Sequence, residues 1–584
     1  MCCFRKRVAA IAGLLALVGV AFWTVEASSM EFPFHRHIKV AEFPEGLQWI
    51  NTARPLELKS LRGKFVLLDF WTYCCINCMH ILPELKKLEK AHGNELVVIG
   101  VHSAKFENER DSKNIIAAAQ RYEIGHPVIN DGDHVFWERF GVQAWPTVIL
   151  IDPEGYAVWG TSGEITFEQI DKVLRAGIAY YGKKGLLDRN PLRLDQGGSS
   201  EPPSPLRFPG KVLADEAGRR LFIADSNHNR IVVARFNGEL LDVIGSGTIG
   251  QHDGDYQTAQ FNHPQGMALD RQALYVADTE NHLLRKVELE RKQVLTIAGL
   301  GRQGREAAAL GHIGKPLQTA LSSPWDLAIV NRQLYIAMAG CHQIWRMPLN
   351  ESNIGPYAGN GREDIVDGPL LPRIAYAEGF ASFAQPSGLA TDGSWLYVAD
   401  SEGSSLRTVP LLEPGLANAH TERPEGQLTA KLAVVGNSKV RGMVKTLVGT
   451  AHLPQARLFT FGDRDGNHTE ARFQHPLGLA WYENRLYVAD TYNHKIRAVD
   501  SADGSTRTLA GSGHRGNSDD PPSFDEPGGI AAAAGKLFVA DTNNHCIRVI
   551  DLRAGNKVTT LAIAGLQVPQ PATAQAADAT SRPR

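Results

Sequence analysis

The chain has 584 residues, more than a single hydrophobic core usually supports, so at least two domains are expected. Glycine is abundant (56 residues) and only 21% of residues are charged, which favours a turn-rich β protein over a helical bundle. The formal net charge of −2 gives no electrostatic reason to expect nucleic acid as a partner, and seven cysteines are too few for a disulfide framework.

Residues 1–30 have the pattern of a targeting segment. Arg5, Lys6 and Arg7 precede an apolar run over residues 8–23, and residues 25–27 fit a signal-peptidase site. The run is somewhat shorter than the ~20 residues of a comfortable transmembrane helix. A cleaved signal peptide and a retained inner-membrane tether through residues 8–23 therefore both stay open. In either case the rest of the chain is expected to be exported to a periplasmic or other extracytoplasmic space.

Residues 38–182 alternate between predicted strands and helices. Strands are predicted at 64–70 and 95–101, helices at 79–92 and 114–122, a hairpin at 148–160 and a last helix at 166–181. This order predicts an α/β domain built around a mixed sheet.

Cys75 and Cys78 lie between the first of these strands and the helix that follows it. That position is expected to expose Cys75 and to direct a helix N-terminus at its thiolate, which the helix dipole stabilises. Cys78, one turn further on, can then attack a mixed disulfide formed on Cys75. Zinc ligands share this spacing, but a zinc site needs a second ligand pair, and residues 38–182 contain no second CxxC or HxxxH. The sequence therefore favours a Cys75–Cys78 redox disulfide, with no metal and no cofactor expected.

Two separated segments resemble the thioredoxin family. Residues 70–78 (Phe-Trp-Thr-Tyr-Cys-Cys-Ile-Asn-Cys) are similar to its active-site segment, and residues 141–147 (Gly-Val-Gln-Ala-Trp-Pro-Thr) to the loop that carries its cis-proline. Residues 126–128 and 151–155 are most similar to the exported, membrane-tethered branch of that family.

The resemblance implies a role for each matching residue. Cys75 would be the attacking nucleophile, Cys78 the resolving thiol, Asp69 the proton relay to Cys78, and Pro146 the cis residue that docks substrate backbone. From the residues alone, Asp69 also fits a buried core carboxyl group without a catalytic part, and Pro146 a structural loop proline.

Four positions depart from the family pattern. Cys74 replaces a tryptophan, and two interpretations stay open: a small buried hydrophobe, or a third thiol that resolves or traps intermediates. Trp145 is bulky for the position before the proline and would narrow the range of clients. Ile76 and Asn77 replace the usual glycine and proline, so the redox potential does not carry over from the family.

Residues 183–205 are rich in proline, glycine and serine and are predicted to be a linker. Beyond them a Leu-aromatic-β-branched-Ala-Asp pattern recurs at 221–225, 274–278, 334–338, 396–400, 486–490 and 537–541, mostly followed by an Asn-His turn. The third copy departs from the pattern, with Met338 in place of the aspartate. These copies resemble NHL repeats and imply an all-β six-bladed propeller over residues 206–567, with an insertion near 411–445 and a disordered tail at 568–584. Because the repeat aspartates and histidines recur in most copies, turn bonding explains them better than metal binding.

A thioredoxin-like domain followed by an NHL propeller resembles the family of NHL repeat-containing protein 2. The favoured hypothesis is an exported thiol–disulfide oxidoreductase that acts on protein clients bearing disulfides or thiols, with the propeller docking a client or a protein partner. The alternative is a protein-interaction scaffold with an inactive thioredoxin-like domain. The sequence leaves open whether the redox pair acts as reductant, oxidant or isomerase.

Overall fold

The computed structural model describes residues 31–192, 203–411 and 442–569. The predicted targeting segment (1–30), the centre of the predicted linker, most of the predicted insertion and nearly all of the predicted tail lie outside these residues. Within the described ranges, no helix combines the length and the apolar character needed to cross a membrane.

The N-terminal domain is an α/β fold with seven strands and four α-helices in residues 31–192. In chain order they are β1 (Ile38–Lys39), β2 (Trp49–Ile50), β3 (Phe65–Trp71), α1 (Ile76–His92), β4 (Leu96–His102), α2 (Ser112–Arg121), β5 (Val128–Asn130), α3 (Val135–Phe140), β6 (Thr147–Ile151), β7 (Tyr156–Ser162) and α4 (Phe167–Lys183). The strands form one mixed sheet in the order β1-β7-β6-β3-β4-β5-β2. The sequence predicted this mixed α/β class, but not the short helix α3.

Strand β3 is the centre of this sheet and ends at the redox motif. All seven of its residues are buried, and it pairs in parallel with β4 and antiparallel with β6. Side chains of α1 and α4 cover one face of the sheet, and Phe136 of α3 packs on the other. A strand enclosed on both faces reads as a continuous apolar run, which explains the sequence of β3. The buried C-terminal end of β3 therefore determines the position at which α1 begins.

Six sheets follow in the described part of residues 203–569, and each is one propeller blade. Blade one contains β8 (Val212–Asp215), β9 (Arg220–Asp225), β10 (Arg230–Arg235) and β11 (Leu240–Ile244). Blade two contains β12 (Gly254–Asp255), β13 (Pro264–Asp270), β14 (Ala273–Asp278), β15 (Leu283–Glu288) and β16 (Gln293–Ala298). Blade three contains β17 (Pro324–Val330), β18 (Gln333–Met338), β19 (Gln343–Pro348) and β20 (Gly355–Ala358).

The remaining three blades complete the ring. Blade four contains β21 (Gly368–Pro369), β22 (Pro386–Thr391), β23 (Trp395–Asp400), β24 (Ser405–Pro410) and β25 (Met443–Val448). Blade five contains β26 (Gly478–Tyr482), β27 (Arg485–Asp490), β28 (Lys495–Asp500) and β29 (Thr506–Ala510). Blade six contains β30 (Pro527–Ala533), β31 (Lys536–Asp541), β32 (Cys546–Asp551) and β33 (Lys557–Leu561). Inner strand β30 packs against inner strand β8, so the propeller closes.

One type of hydrogen bond between the turn of a repeat and the next blade is common to all six copies. In every case the donor is the backbone N–H of the residue that precedes the next blade's proline turn. The acceptors in blades one to six are Asn229, His282, His342, Ser404, His494 and His545, at 3.0–3.2 Å. Burial lowers the pKa of His282 to about 3, so its Nδ1 stays free to accept. The asparagine-histidine turn of the repeat therefore links neighbouring blades.

A buried ion pair lies inside most blades. In blade two, the repeat aspartate Asp278 accepts a hydrogen bond from Arg285 at 2.9 Å, and neither side chain is exposed. The same spacing gives Asp400 with Arg407, Asp490 with Arg497 and Asp541 with Arg548. Blade three has Met338 and Trp345 at the two corresponding positions, both buried. The departure of the third copy from the repeat pattern thus replaces an ion pair with an apolar contact.

We expect Arg285→Met to lower the free energy of unfolding by about 3 kcal/mol or more, because it leaves the Asp278 carboxyl buried without its cation. Urea denaturation followed by intrinsic fluorescence measures this change. The double variant Asp278→Met with Arg285→Trp reproduces the pair of blade three and should recover much of the loss. Exposed Arg291→Met in the same blade is the control, and a loss there equal to that of Arg285→Met would contradict the assignment.

Candidate functional site

The redox motif forms the first turn of α1. Cys75 is the N-terminal capping residue of this helix, and its sulfur accepts a hydrogen bond from the backbone N–H of Cys78 at 3.4 Å. Cys74, Cys75 and Cys78 are all free thiols in the structure. The geometry therefore brings the two predicted redox cysteines together at the predicted position.

The expectation that Cys75 is exposed is wrong. Its exposure is 7%, and that of Cys74 and Cys78 is 1% or less, because the propeller covers the start of α1. A hydrogen bond with Cys78 lowers the pKa of Cys75, but burial and the carboxylates of Glu402 and Glu363 raise it, and the net pKa is above the ordinary value. Helix position alone therefore does not ionise this thiol while the propeller covers it.

Asp69 lies in the middle of β3, beneath the redox pair. It is fully buried, and neither of its carboxyl oxygens has a hydrogen-bond partner among the described residues. Burial raises the pKa of Asp69 to about 7, against a smaller lowering by His126. Burial is the main cause of a raised pKa at Cys78, and the charge of Asp69 raises that pKa further. A carboxyl group with a pKa near 7 is suited to accept and return a proton, although its role as a relay stays a prediction.

The loop before β6 carries the predicted proline. The Trp145–Pro146 peptide bond is cis, as the resemblance implied. The Trp145 ring packs against Trp137 with centroids 4.4 Å apart. Trp145 also packs against the core on the α1 side of the sheet, and Trp137 against the core on the α3 side. The parts of Pro146 in docking substrate and of Trp145 in narrowing the client range stay predictions.

Cys74 lies in a buried polar cluster that the sequence did not reveal. Its backbone N–H donates to Glu109 at 3.0 Å, and Thr72 donates to the same carboxyl group at 2.8 Å. Burial raises the pKa of Glu109 to about 7, and burial with the Glu109 and Glu402 charges raises the pKa of Cys74 well above its ordinary value. This environment holds Cys74 as a neutral thiol, and the choice between a packing residue and a third redox thiol stays open.

Gln385 of the propeller contacts the backbone on both sides of Cys75. Its Oε1 accepts from the N–H of Ile76 at 2.8 Å, and its Nε2 donates to the carbonyl oxygen of Cys74 at 3.0 Å. The side chain is 1% exposed. One carboxamide thus fixes both peptide groups that flank Cys75, and a residue 310 positions along the chain completes the site.

Gln385 belongs to a set of six equivalent residues, which we call the pre-proline ring. Each precedes the proline or inner strand of its blade, and each has a positive φ between 45° and 64°. The ring consists of Phe208, His263, Ser323, Gln385, His475 and Glu526. Glu526 accepts hydrogen bonds from Tyr73, Asn108 and Arg121 at 3.0–3.1 Å, and Ser323 bonds to His80 at 2.8 Å.

A second equivalent position in the repeat, two residues after the repeat aspartate, also contacts the N-terminal domain. We call this set the turn ring: Asn227, Glu280, Gly340, Glu402, Tyr492 and Asn543. Glu402 forms a buried ion pair with Lys105. Burial alone would lower the pKa of Lys105, but the charge of the neighbouring carboxylate raises it. At Gly340, a Cβ atom would lie 2.7 Å from Cε1 of His80, so the glycine of blade three makes room for α1.

The sequence contained a pattern that could have identified both rings. Around the prolines and the repeat aspartates, the framework residues recur from blade to blade, whereas the two ring positions change in nearly every copy. Positions that vary inside a constant repeat are free of the packing that builds the blade.

As for metals, no group of three or more His, Cys, Asp or Glu side chains in the described ranges is arranged to hold an ion.

Two family models match the chain. One, described as thioredoxin-like, matches residues 63–157, and another, described as NHL repeat, matches residues 261–287 and 524–550. The matches agree with the α/β domain and with two of the blades. The two models match separate parts of the chain, which correspond to the two domains of the fold.

Curated relatives match nearly the whole chain. The bovine NHL repeat-containing protein 2 (Bos taurus) is 42% identical over 555 residues, which is 89% of this chain and 71% of the relative. Protein SUPPRESSOR OF QUENCHING 1, chloroplastic, of Arabidopsis thaliana is 42% identical over 551 residues, 91% of this chain and 48% of the relative. The thiol-disulfide oxidoreductase ResA of Bacillus subtilis is 31% identical over 123 residues, 20% of this chain and 65% of the relative. The chain thus combines a thioredoxin-like domain with a six-bladed NHL propeller, and it belongs to the NHL repeat-containing protein 2 family.

Proposed function

We propose that the chain is a thiol–disulfide oxidoreductase that uses the Cys75–Cys78 pair. The observation that carries the proposal is the contact between these residues, with the Cys78 N–H 3.4 Å from the Cys75 sulfur at the start of α1. At that separation in sequence and space, the second thiol can displace whatever is bound to the first.

Asp69 favours an enzyme over an inactive scaffold. A buried carboxyl group without hydrogen-bond partners costs stability, and it contributes nothing to packing that an apolar residue would not do better. A domain kept only as a docking platform has no use for such a group. Its place under Cys78 fits a proton acceptor for the resolving step.

The reaction consists of two exchanges. The Cys75 thiolate attacks one sulfur of a substrate disulfide, forms a mixed disulfide, and releases the first substrate thiol, which takes a proton. Cys78 then loses its proton to Asp69 and attacks the Cys75 sulfur, which releases the second substrate thiol and leaves the Cys75–Cys78 disulfide. Two electrons pass to the substrate, and an external dithiol donor returns the pair to its reduced form.

The environment of Cys75 supports one direction of transfer over the other. A low thiol pKa stabilises the reduced form of a redox pair and makes its disulfide oxidising. Here burial and the charges of Glu402 and Glu363 raise the pKa of Cys75, so the reduced form lacks that stabilisation. We therefore infer that the pair acts as a reductant. The basic residues 5–7 and the apolar run 8–23 support an extracytoplasmic location, where the donor would have to be present.

We expect the full chain to pass electrons from a dithiol donor to a disulfide substrate, and Cys75→Ser to abolish this transfer. Cys78→Ser should stop the reaction at a mixed disulfide, which non-reducing mass spectrometry detects as an added mass on Cys75. Cys546→Ser, in β32 of blade six, is the matched control and should keep the wild-type rate. Equal turnover by wild type and Cys75→Ser would contradict the proposal.

Asp69→Asn is expected to slow resolution of the mixed disulfide tenfold or more, because the amide cannot accept the Cys78 proton. It should also change the pH dependence of stability. With a pKa of about 7 in the folded chain and about 3.9 unfolded, Asp69 binds more protons in the folded state, so its contribution to stability falls as pH rises from 4 to 7. The gain in melting temperature of Asp69→Asn over wild type should therefore be larger at pH 8 than at pH 5. An equal difference at both values would contradict the shifted pKa.

A further inference from the structure

Blade four covers the start of α1 with two residues, Gln385 and Glu402. The backbone N–H of Ile76 is one of the unpaired N–H groups at the positive end of this helix, where an anion is stabilised. In this structure that N–H donates to Oε1 of Gln385 at 2.8 Å. The N–H of Cys78 still donates to the Cys75 sulfur, at 3.4 Å. The propeller thus takes up part of the helix end that would otherwise serve the thiolate.

Glu402 adds negative charge near the same sulfur. Its side chain is 4% exposed and pairs with Lys105, and a carboxyl oxygen of Glu363 lies 3.6 Å from the same ammonium group. One ammonium group therefore faces two carboxylates. The hydrogen bond with Cys78 lowers the pKa of Cys75, but burial and these two carboxylates raise it above its ordinary value.

The residue types at these two positions are not required to build a blade. Gln385 is the only glutamine of the pre-proline ring, and at the turn-ring position of Glu402 blade three has Gly340. A buried carboxylate costs stability even when it is paired, so blade four gains nothing in packing from a charge at this position. Its place near Cys75 points instead to control of the thiol.

We propose that blade four restrains the Cys75–Cys78 pair in the docked form of the chain. Gln385 is a positioning residue, because its carboxamide holds the peptide groups on both sides of Cys75 and engages the N–H of Ile76. Glu402 disfavours the charged form of the sulfur. The inference rests on the proposed function and concerns its regulation, since the thiolate is the attacking species. The docked propeller gives the low-reactivity form of the pair, and loss of either contact activates Cys75.

Glu402→Gln tests the charge and preserves the size of the side chain. The reduced full chain is alkylated with excess iodoacetamide at a series of pH values, and tandem mass spectrometry follows Cys75. The variant should react at least tenfold faster than wild type at pH 7, with a lower pH midpoint. Glu280→Gln makes the same change at the same repeat position of blade two, and this control should leave the Cys75 profile unchanged.

Gln385→Leu removes both hydrogen bonds of the carboxamide and retains a similar side-chain volume. The pH midpoint of Cys75 should fall, because the N–H of Ile76 then contributes to the positive helix end beside the thiolate. Ser323→Ala removes a different bond between the pre-proline ring and α1, the one to His80, and controls for the loss of a docking contact as such. A midpoint shift in Ser323→Ala as large as that in Gln385→Leu would overturn the role of Gln385.

A disulfide reaction on the same proteins separates this inference from the function beneath it. Each reduced protein is mixed with dipyridyl disulfide, and acid quench with mass spectrometry measures formation of the Cys75–Cys78 disulfide. If this disulfide forms but Glu402→Gln is alkylated no faster than wild type, the inference is overturned and the redox function stands. If the disulfide forms in neither wild type nor variants, the redox function fails and the inference fails with it.

A third variant decides if either buried substitution prevents folding, as judged by thermal melting. Glu363→Gln removes the second carboxylate at a side chain that is 37% exposed. It should lower the pH midpoint of Cys75 in the same direction as Glu402→Gln. An unchanged midpoint in folded Glu363→Gln would overturn the inference.

Discussion

The docking of the thioredoxin-like domain onto the top of the propeller determines the chemistry of this protein. Its centre is Gln385, whose carboxamide holds the peptide groups before and after Cys75 at 2.8 and 3.0 Å. Because of this contact, the helix start that would otherwise face solvent faces blade four. The burial of the thiols and the raised pKa of Cys75 both follow from this docking.

Different positions of the repeat build the blades and contact the N-terminal domain. Its constant residues make the blade: the aspartate and arginine form a buried pair, and the histidine of the turn binds the next blade. Its two variable positions, the pre-proline ring and the turn ring, face the other domain. Six copies of one unit thus present twelve positions, occupied by eight residue types, to the other domain; Gly340 provides room and Glu402 provides charge. A propeller suits this task because closure makes the ring rigid.

The sequence predicted those parts of the site that are local in the chain. Cys75 and Cys78 are three residues apart, Asp69 lies in the strand before them, and the repeats are visible as a recurring pattern. The fold class, the NHL repeats and the cis bond at Pro146 were therefore predictable. The exposure of Cys75 was predicted wrongly because its cover comes from residues more than 300 positions away. The variation of the ring positions between repeats distinguishes them from the framework, but it does not say which residue of the other domain each one contacts, and the same holds for the pairing of Lys105 with Glu402.

The most direct test of this account is the alkylation of Cys75 in the reduced full chain as a function of pH. Iodoacetamide is added in excess at each pH, and tandem mass spectrometry identifies the modified cysteine. We expect slow reaction at pH 7 and an apparent pKa above the value of about 8.5 for a free cysteine, because the propeller and its carboxylates oppose the thiolate. Rapid alkylation with an apparent pKa below about 7.5 would show an open, ionised thiol and contradict the closed site.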